Sequence, residues 1–256
     1  MADLSGVTVV VTRPAHQAET LCQSIEAAGG IAVRFPLLAI LPSSDTAAAA
    51  AQLAQLERFH LAIFVSANAV TAALTMLASH PGWPPALAIA AVGQATARAL
   101  TAHGLHVAHV APAPYNSEAL LTLPALQSVQ GQRVLIIRGE GGRETLAQTL
   151  RDRGAEVAYA ECYRRAMPDT DTEVLYRVWE STRPSCLVVT SNEGLENLYQ
   201  LVDEQHRADL LAAQLVVVSE RAVTLARSLG FSKPPIVSSA ASDEAIEAAI
   251  EAWCTD

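Results

Sequence analysis

The chain has 256 residues, 51% hydrophobic, 17% charged and 5% aromatic, with mean hydropathy +0.25. That profile excludes disorder, which needs low hydrophobicity and high net charge, even though 48 alanines inflate the apolar fraction. With 17 Lys and Arg against 26 Asp and Glu the formal net charge is −9, which repels a polyanion and argues against a nucleic-acid partner.

The N-terminal Met1-Ala2-Asp3-Leu4-Ser5-Gly6 lacks the basic and apolar regions of a signal peptide. No uninterrupted apolar stretch approaches the ~18 residues of a membrane span. A cytoplasmic protein with no membrane partner is expected. Cys22, Cys162, Cys186 and Cys254 are scattered without a CxxC pair, so buried or idle thiols are expected rather than a disulfide framework.

In chain order, strand-length apolar runs fall at 7–12, 31–35, 60–65, 87–92, 106–110, 133–138, 156–161, 186–190, 214–218 and 235–238. Helix-length amphipathic stretches lie between most of them, at 16–28, 67–78, 94–102, 142–153, 192–203, 220–228 and 242–253. Gly29, Gly104, Gly154 and Gly230 each follow a helical run and precede a strand, where a left-handed cap suits glycine. Such alternation predicts an α/β protein with parallel sheets covered on both faces.

The chain also repeats itself. A shift of 125 aligns 6–34 with 131–159 without a gap, placing Gly6, Val9, Arg13, Glu19, Thr20 and Gly29 on Gly131, Val134, Arg138, Glu144, Thr145 and Gly154. The same shift puts Ser66 on Ser191, and a shift of 126 puts Val92 on Val218 and Gly104 on Gly230. Two similar lobes of about five strands each are expected. Phe35-Pro36-Leu37-Leu38-Ala39-Ile40-Leu41-Pro42 is an extended segment, since proline disfavours helix at the preceding residue. Its counterpart is Glu161 through Pro168. Linkers at these two equivalent positions would let the chain leave one lobe, build the other and return.

In parallel sheets ligands bind beyond the carboxyl ends of the strands, near helix N-termini. The loops there are rich in hydroxyls, glycines and capping residues: Thr12-Arg13-Pro14, Ser66-Ala67-Asn68, Gly93 through Thr96, Pro114 through Glu118, Gly139 through Arg143, and Ser191-Asn192. Ser, Thr and Asn are favoured at such places for helix capping alone. Together, though, these loops expose many backbone N–H groups, and Arg13, Arg138 and Arg143 add positive charge. The surface suits a large ligand carrying several carboxylates. Gly139-Glu140-Gly141-Gly142-Arg143-Glu144 fails the dinucleotide fingerprint because Glu144 takes the third glycine position. His103, His106 and His109 do not form a metal site, since Gly104 interrupts them and strand spacing sends the last two to opposite faces. Tyr163, beside Arg164 and Arg165, stands where the lobes are expected to join; its phenol either donates into a cleft or packs as a half-buried linker aromatic.

Along nearly its whole length the chain resembles the uroporphyrinogen-III synthase family. The matching stretches are Val11 through Pro14, Phe64 through Val70, Ala91 through Ala97, Ser117-Glu118, Gly139 through Leu146, Tyr163-Arg164-Arg165 and Thr190 through Glu193. Val65 stands where many members carry Thr, and Ser219-Glu220-Arg221-Ala222 replaces the second Gly-x-x-Thr-Ala pattern. The resemblance implies two flavodoxin-like lobes joined by a two-stranded linker, with the active-site cleft between the lobes. Lobe one would comprise 1–36 and 167–256, lobe two 42–160, with linkers 37–41 and 161–166.

The activity implied is cyclisation of the linear tetrapyrrole hydroxymethylbilane to uroporphyrinogen III, through an azafulvene and a spirocyclic intermediate, with inversion of ring D. No metal or cofactor is implied. The enzyme then needs no nucleophile: it assists departure of water and folds a polycarboxylate. Tyr163 is the expected assistant of the leaving hydroxyl. Thr12, Arg13, Ser66, Thr96, Arg138, Gly139, Ser191 and Asn192 are expected to orient carboxylates, mainly through nearby main-chain N–H groups. A monomer whose two lobes open and close around its ligand is the expected form. The alternative is a non-catalytic bilobed binding protein for a small anion.

Overall fold

Apolar runs with no polar alternation become strands buried on both faces, and that pattern organises the molecule. The computed structural model describes residues 3–78 and 82–255. The chain opens with β1 (Thr8–Val11), α1 (Ala15–Ala27) and β2 (Ile31–Arg34), then passes through β3 (Ala39–Pro42). It continues with α2 (Thr46–Leu53), a 3₁₀ turn (Leu56–Arg58), β4 (Leu61–Phe64), α3 (Ala67–Met76), β5 (Ala88–Ala91), α4 (Gln94–Ala102) and β6 (His109–Val110). Next come α5 (Ser117–Leu120), α6 (Pro124–Gln127), β7 (Arg133–Gly139), α7 (Thr145–Asp152) and the long β8 (Glu156–Ala166). The last part holds α8 (Glu173–Glu180), β9 (Ser185–Val189), α9 (Asn192–Leu201), α10 (Arg207–Ala212), β10 (Gln214–Val217), α11 (Glu220–Leu229), β11 (Ile236–Val237) and α12 (Asp243–Thr255).

Two compact units result, Met1–Ala39 with Ala166–Asp256, and Ile40–Arg165. The first carries a parallel sheet in the order β11-β10-β9-β1-β2. In the second, β8-β7-β4-β5-β6 are parallel, with β3 next to β8 at the edge. Counted from β1 in one sheet and β7 in the other, both follow the flavodoxin order 2-1-3-4-5. Leaving aside the edge strand β3, each sheet therefore takes two strands from one sequence repeat and three from the other.

Packing follows the period of two. Leu61 and Ile63 of β4 face one core with Val134 and Ile136 of β7, while Ala62 and Phe64 face another with Leu135 and Ile137. In the first unit Val9 and Val11 pack with Cys186 and Val188, and Val10 packs with Leu187 and Val189. Gly29, Gly104, Gly154 and Gly230 all take positive φ, as their places after helices require.

Three of the departures from the sequence pattern have a local cause. The strand expected at 106–110 is reduced to His109–Val110, because pairing at this sheet edge begins only where Ala108 N–H donates to the Ile89 carbonyl at 3.0 Å. The helix expected at 142–153 starts at Thr145, since Gly141 and Gly142 hold φ of 68° and 97°, which no helix can accept. Helix α2 was not expected: its alanine-rich turns lack a polar face to set a period, and the Asp45 carboxylate, accepting from Ala48 N–H at 2.9 Å, starts it.

The cysteines are free; Cys22, Cys162 and Cys186 are buried and Cys254 is exposed. Burial pushes the Cys162 thiol up to about 12, and raises Cys186 as well. An aromatic disulfide reagent will therefore modify Cys254 in the native protein and reach the other three only on unfolding. A second thiol reacting at the Cys254 rate would contradict this packing.

Candidate active site

At the carboxyl ends of β4 and β7 the strand order of the second sheet reverses, and such switch points open a crevice above the sheet. A cavity of ≈ 380 Å³ lies there, within the ~300–1,000 Å³ range of small-ligand sites. Among the described residues its lining includes Arg138, Arg143 and Arg165 and no carboxylate, in a protein of net charge −9.

Tyr163 is positioned by three independent contacts. A β-bulge at Arg138/Gly139 brings Gly139 into register with Tyr163, and Glu140 N–H donates to the Tyr163 carbonyl at 2.8 Å. The Tyr163 ring lies on the bare Cα of Gly139: a Cβ there would stand 2.7 Å from two ring carbons. The phenol oxygen is 3.0 Å from Ser66 Oγ, which also accepts from Ala69 N–H at 3.1 Å as the N-cap of α3. Tyr163 is thus part of β8, largely buried, and is among the residues lining the cavity.

Arg138 is buried and its charge is matched nearby, as burial of a cation demands. Its Nη1 donates to Glu144 at 2.9 Å, Nε donates to the Gly139 carbonyl at 3.2 Å, and Glu161 lies 3.5 Å from Nε. The guanidinium also covers the Tyr159 ring, 4.7 Å from its centroid. The Tyr159 hydroxyl donates to the other Glu144 oxygen. The Tyr159 and Arg138 bonds hold the Glu144 carboxyl below its ordinary value, while burial and Glu144 raise the Tyr159 phenol. Glu140 is anchored at the start of the same loop by Ser44 N–H, the Ser44 hydroxyl and the Ser43 hydroxyl, which hold its carboxyl down.

The structure thus gathers Ser66, Arg138, Gly139 and Tyr163 around one cavity. Thr96 belongs to the same unit but is buried in the first turn of α4, away from the lining. Thr12, Arg13, Ser191 and Asn192 occupy the matching positions of the first unit. There the Thr12 hydroxyl donates to the Val188 carbonyl at 2.7 Å, and Arg13 pairs with Asp243 and donates to the Ala241 carbonyl at 2.7 Å. Ser191 caps α9, accepting from Gly194 N–H at 2.9 Å, and Asn192 is the first residue of that helix. Arg13 and Arg138 therefore carry ion-paired guanidinium groups that tie strand ends to helix starts.

Sequence reasoning missed Tyr159, and it picked out the loop of Tyr115 without singling out that residue. Tyr159 lies in the middle of an apolar strand, and Tyr115 in a loop whose course no periodicity reveals. The pairing of Arg138 with Glu144 had no signal in the repeat, which aligns them with Arg13 and Glu19, because Arg13 pairs with Asp243 and Glu19 with Arg34.

A pair of flavodoxin-type sheets, one bearing an arginine-lined cavity at its switch point, defines a two-unit α/β protein with a ligand-sized pocket that no carboxylate lines among the described residues. The family model described as "Uroporphyrinogen-III synthase HemD" matches residues 19–247. Uroporphyrinogen-III synthase of Salmonella typhimurium is 37% identical over 245 residues, 94% of this chain and 99% of that protein. The Escherichia coli protein of the same name is 36% identical over the same length and shares. Among solved structures, a mutant uroporphyrinogen III synthase from Thermus thermophilus has TM-score 0.61 at 17% identity, covering 97% of this chain and 98% of its own. The Helicobacter pylori synthetase gives 0.58 at 14% identity, covering 100% and 99%, and so shares the fold. The chain belongs to the uroporphyrinogen-III synthase family.

Two outcomes follow from the site's geometry. Gly139→Ala will force the Tyr163 ring off its seat and part it from Ser66, costing about 1–3 kcal/mol of stability and lowering turnover; unchanged melting and turnover would show that the seat is loose. Glu140 and Glu144 have depressed values, so their ties are complete above the ordinary carboxylate value of 4.5 and fail as pH falls through the depressed ones. Amide exchange in 139–144, corrected for its intrinsic pH dependence, will accelerate below pH ~4 ahead of the strands beneath. Uniform behaviour of loop and strands would contradict that.

Proposed function

We propose that this protein converts hydroxymethylbilane to uroporphyrinogen III, with Tyr163 as the group that assists loss of the hydroxyl. The observation that carries the reading is a phenol held by Gly139 and Ser66 at the wall of a cavity lined by arginines and, among the described residues, by no carboxylate. The cavity accommodates part of a tetrapyrrole rather than all of it. Because Ser66 Oγ already accepts from Ala69 N–H, its own proton can be donated to the phenol oxygen. The Tyr163 proton is then free to point at the leaving group.

The first step breaks the C–O bond of the hydroxymethyl group. Tyr163 supplies the proton with which hydroxide leaves as water, and the pyrrole nitrogen's electron pair forms the exocyclic double bond of an azafulvenium cation. The substituted α-carbon of ring D attacks this electrophile, and the spirocyclic product fragments and recloses with ring D inverted. A proton lost on rearomatisation restores the phenol. Every electron pair comes from the substrate, so the chain supplies placement, hydrogen bonds and one proton. The main-chain N–H groups around Thr12, Arg13, Ser66, Thr96, Gly139, Ser191 and Asn192, together with the Arg138 guanidinium, orient the carboxylates. The chain acts as a cytoplasmic monomer without metal, cofactor or nucleic acid. Among its described residues no helix is long and apolar enough to cross a membrane.

The test supplies hydroxymethylbilane generated in situ and chromatographs the oxidised porphyrins. The uncatalysed product is the symmetric isomer I, so the enzyme will divert material to isomer III, and a mere binding protein will leave isomer I. Tyr163→Phe is expected to slow a single turnover by roughly 100-fold, the scale of a lost general acid. Full turnover by that variant would remove Tyr163 from the mechanism.

A further inference from the structure

The azafulvenium ion raises a problem that the cavity must solve: it is a planar cation formed among arginines. A carboxylate facing it would stabilise the charge but could also trap the electrophile, and among the described residues none lines the cavity. The face of an aromatic ring attracts a cation through its quadrupole with no lone pair aimed at the carbon.

Among the described residues the cavity is lined by three tyrosines, Tyr115, Tyr159 and Tyr163, and by no Phe or Trp. Two of these rings are engaged already. Tyr159 has the guanidinium groups of Arg138 and Arg151 over its ring, at 4.7 and 5.5 Å from the centroid. Tyr163 is 7% exposed and seated on Gly139. Tyr115 is 48% exposed, an unusual degree for an aromatic side chain. Its backbone is unusual too: φ is +57°, the one positive value outside glycine among the described residues. That conformation is disfavoured for a bulky side chain, and such strain concentrates at functional sites. The neighbouring contacts maintain it, because Tyr115 N–H donates to the Pro112 carbonyl at 2.8 Å and Asn116 caps α5 through Ala119 N–H at 2.8 Å.

We infer that Tyr115 is a further catalytic residue of the cyclisation, its ring face lying against the azafulvenium ion as hydroxide departs and holding it until ring D attacks. The inference rests on the function proposed above. Tyr115 forms no covalent bond and transfers no proton.

The test is a substitution series at this position, read by single-turnover rate, KM and the ratio of isomers III and I. Tyr115→Phe keeps the face and is expected to stay within about 2-fold of the parent rate. Tyr115→Leu removes the face and is expected to lower the rate about 5- to 30-fold, with KM within about 2-fold and more isomer I from escaped intermediate. Tyr115→Asn also lacks the ring but tolerates positive φ; it will melt no lower than the parent and lose rate as the Leu variant does, which separates the ring from the fold. Phenylalanines carrying one, two and three ring fluorines will reduce log rate stepwise as the quadrupole weakens. The inference falls if Leu and Asn match the parent, if Phe falls as far as Leu, if KM alone moves, or if fluorination has no graded effect. Failure of the parent protein itself to make isomer III would sink the proposed function instead.

Discussion

The contact between the Tyr163 ring and the bare Cα of Gly139 constrains everything around it. No side chain fits between them, so the residue after Arg138 must be glycine if the ring is to lie flat. With the ring in place, its hydroxyl reaches Ser66, and through Ser66 the start of α3. The β-bulge at the end of β7 brings about this register, and the same irregularity lets the chain turn away into the 139–144 loop. One small residue thus links strand pairing, helix capping and placement of the phenol.

Electrostatics reinforce that arrangement rather than create it. A buried guanidinium in an acidic protein needs partners, and Arg138 finds Glu144, Glu161 and the Tyr159 ring close by. These carboxylates pair with Arg138, and among the described residues none lines the cavity. Arg143 behaves differently. Its pair with Glu118 lies at the surface, where such bonds contribute little, so its charge is easily redirected toward a ligand carboxylate. Chemistry that depends on shaping a self-reactive substrate asks for this combination of a rigid floor and an adaptable rim.

Much of the candidate site was legible because parallel sheets place their ligand loops in a predictable position. Ser66, Arg138, Gly139 and Tyr163 all came from reading strand ends and their family resemblance, and they share one cavity. What could not be read was the partnering of each group. The Thr12 hydroxyl is turned to Val188, far along the chain, and the Arg13 charge to Asp243 in the last helix. Tyr115 lies in a strand-end loop that the reading did single out, but its exposure and positive φ arise from a loop conformation with no hydrophobic period. The alanine-rich α2 escaped for the opposite reason, since a segment apolar all round has no phase.

The amino-acid sequence alone determined the α/β class, the internal repeat and the glycines after helices, because each rests on local periodicity or on a residue's own backbone freedom. The repeat by itself left open how its halves are divided between the sheets, and pairing between strands decides it. Strands β1 and β2 join β9, β10 and β11, while β7 and β8 join β4, β5 and β6, so neither sheet is built from one continuous repeat. The aligned strands of the two repeats carry the same kind of apolar face, and pattern by itself leaves either partner acceptable.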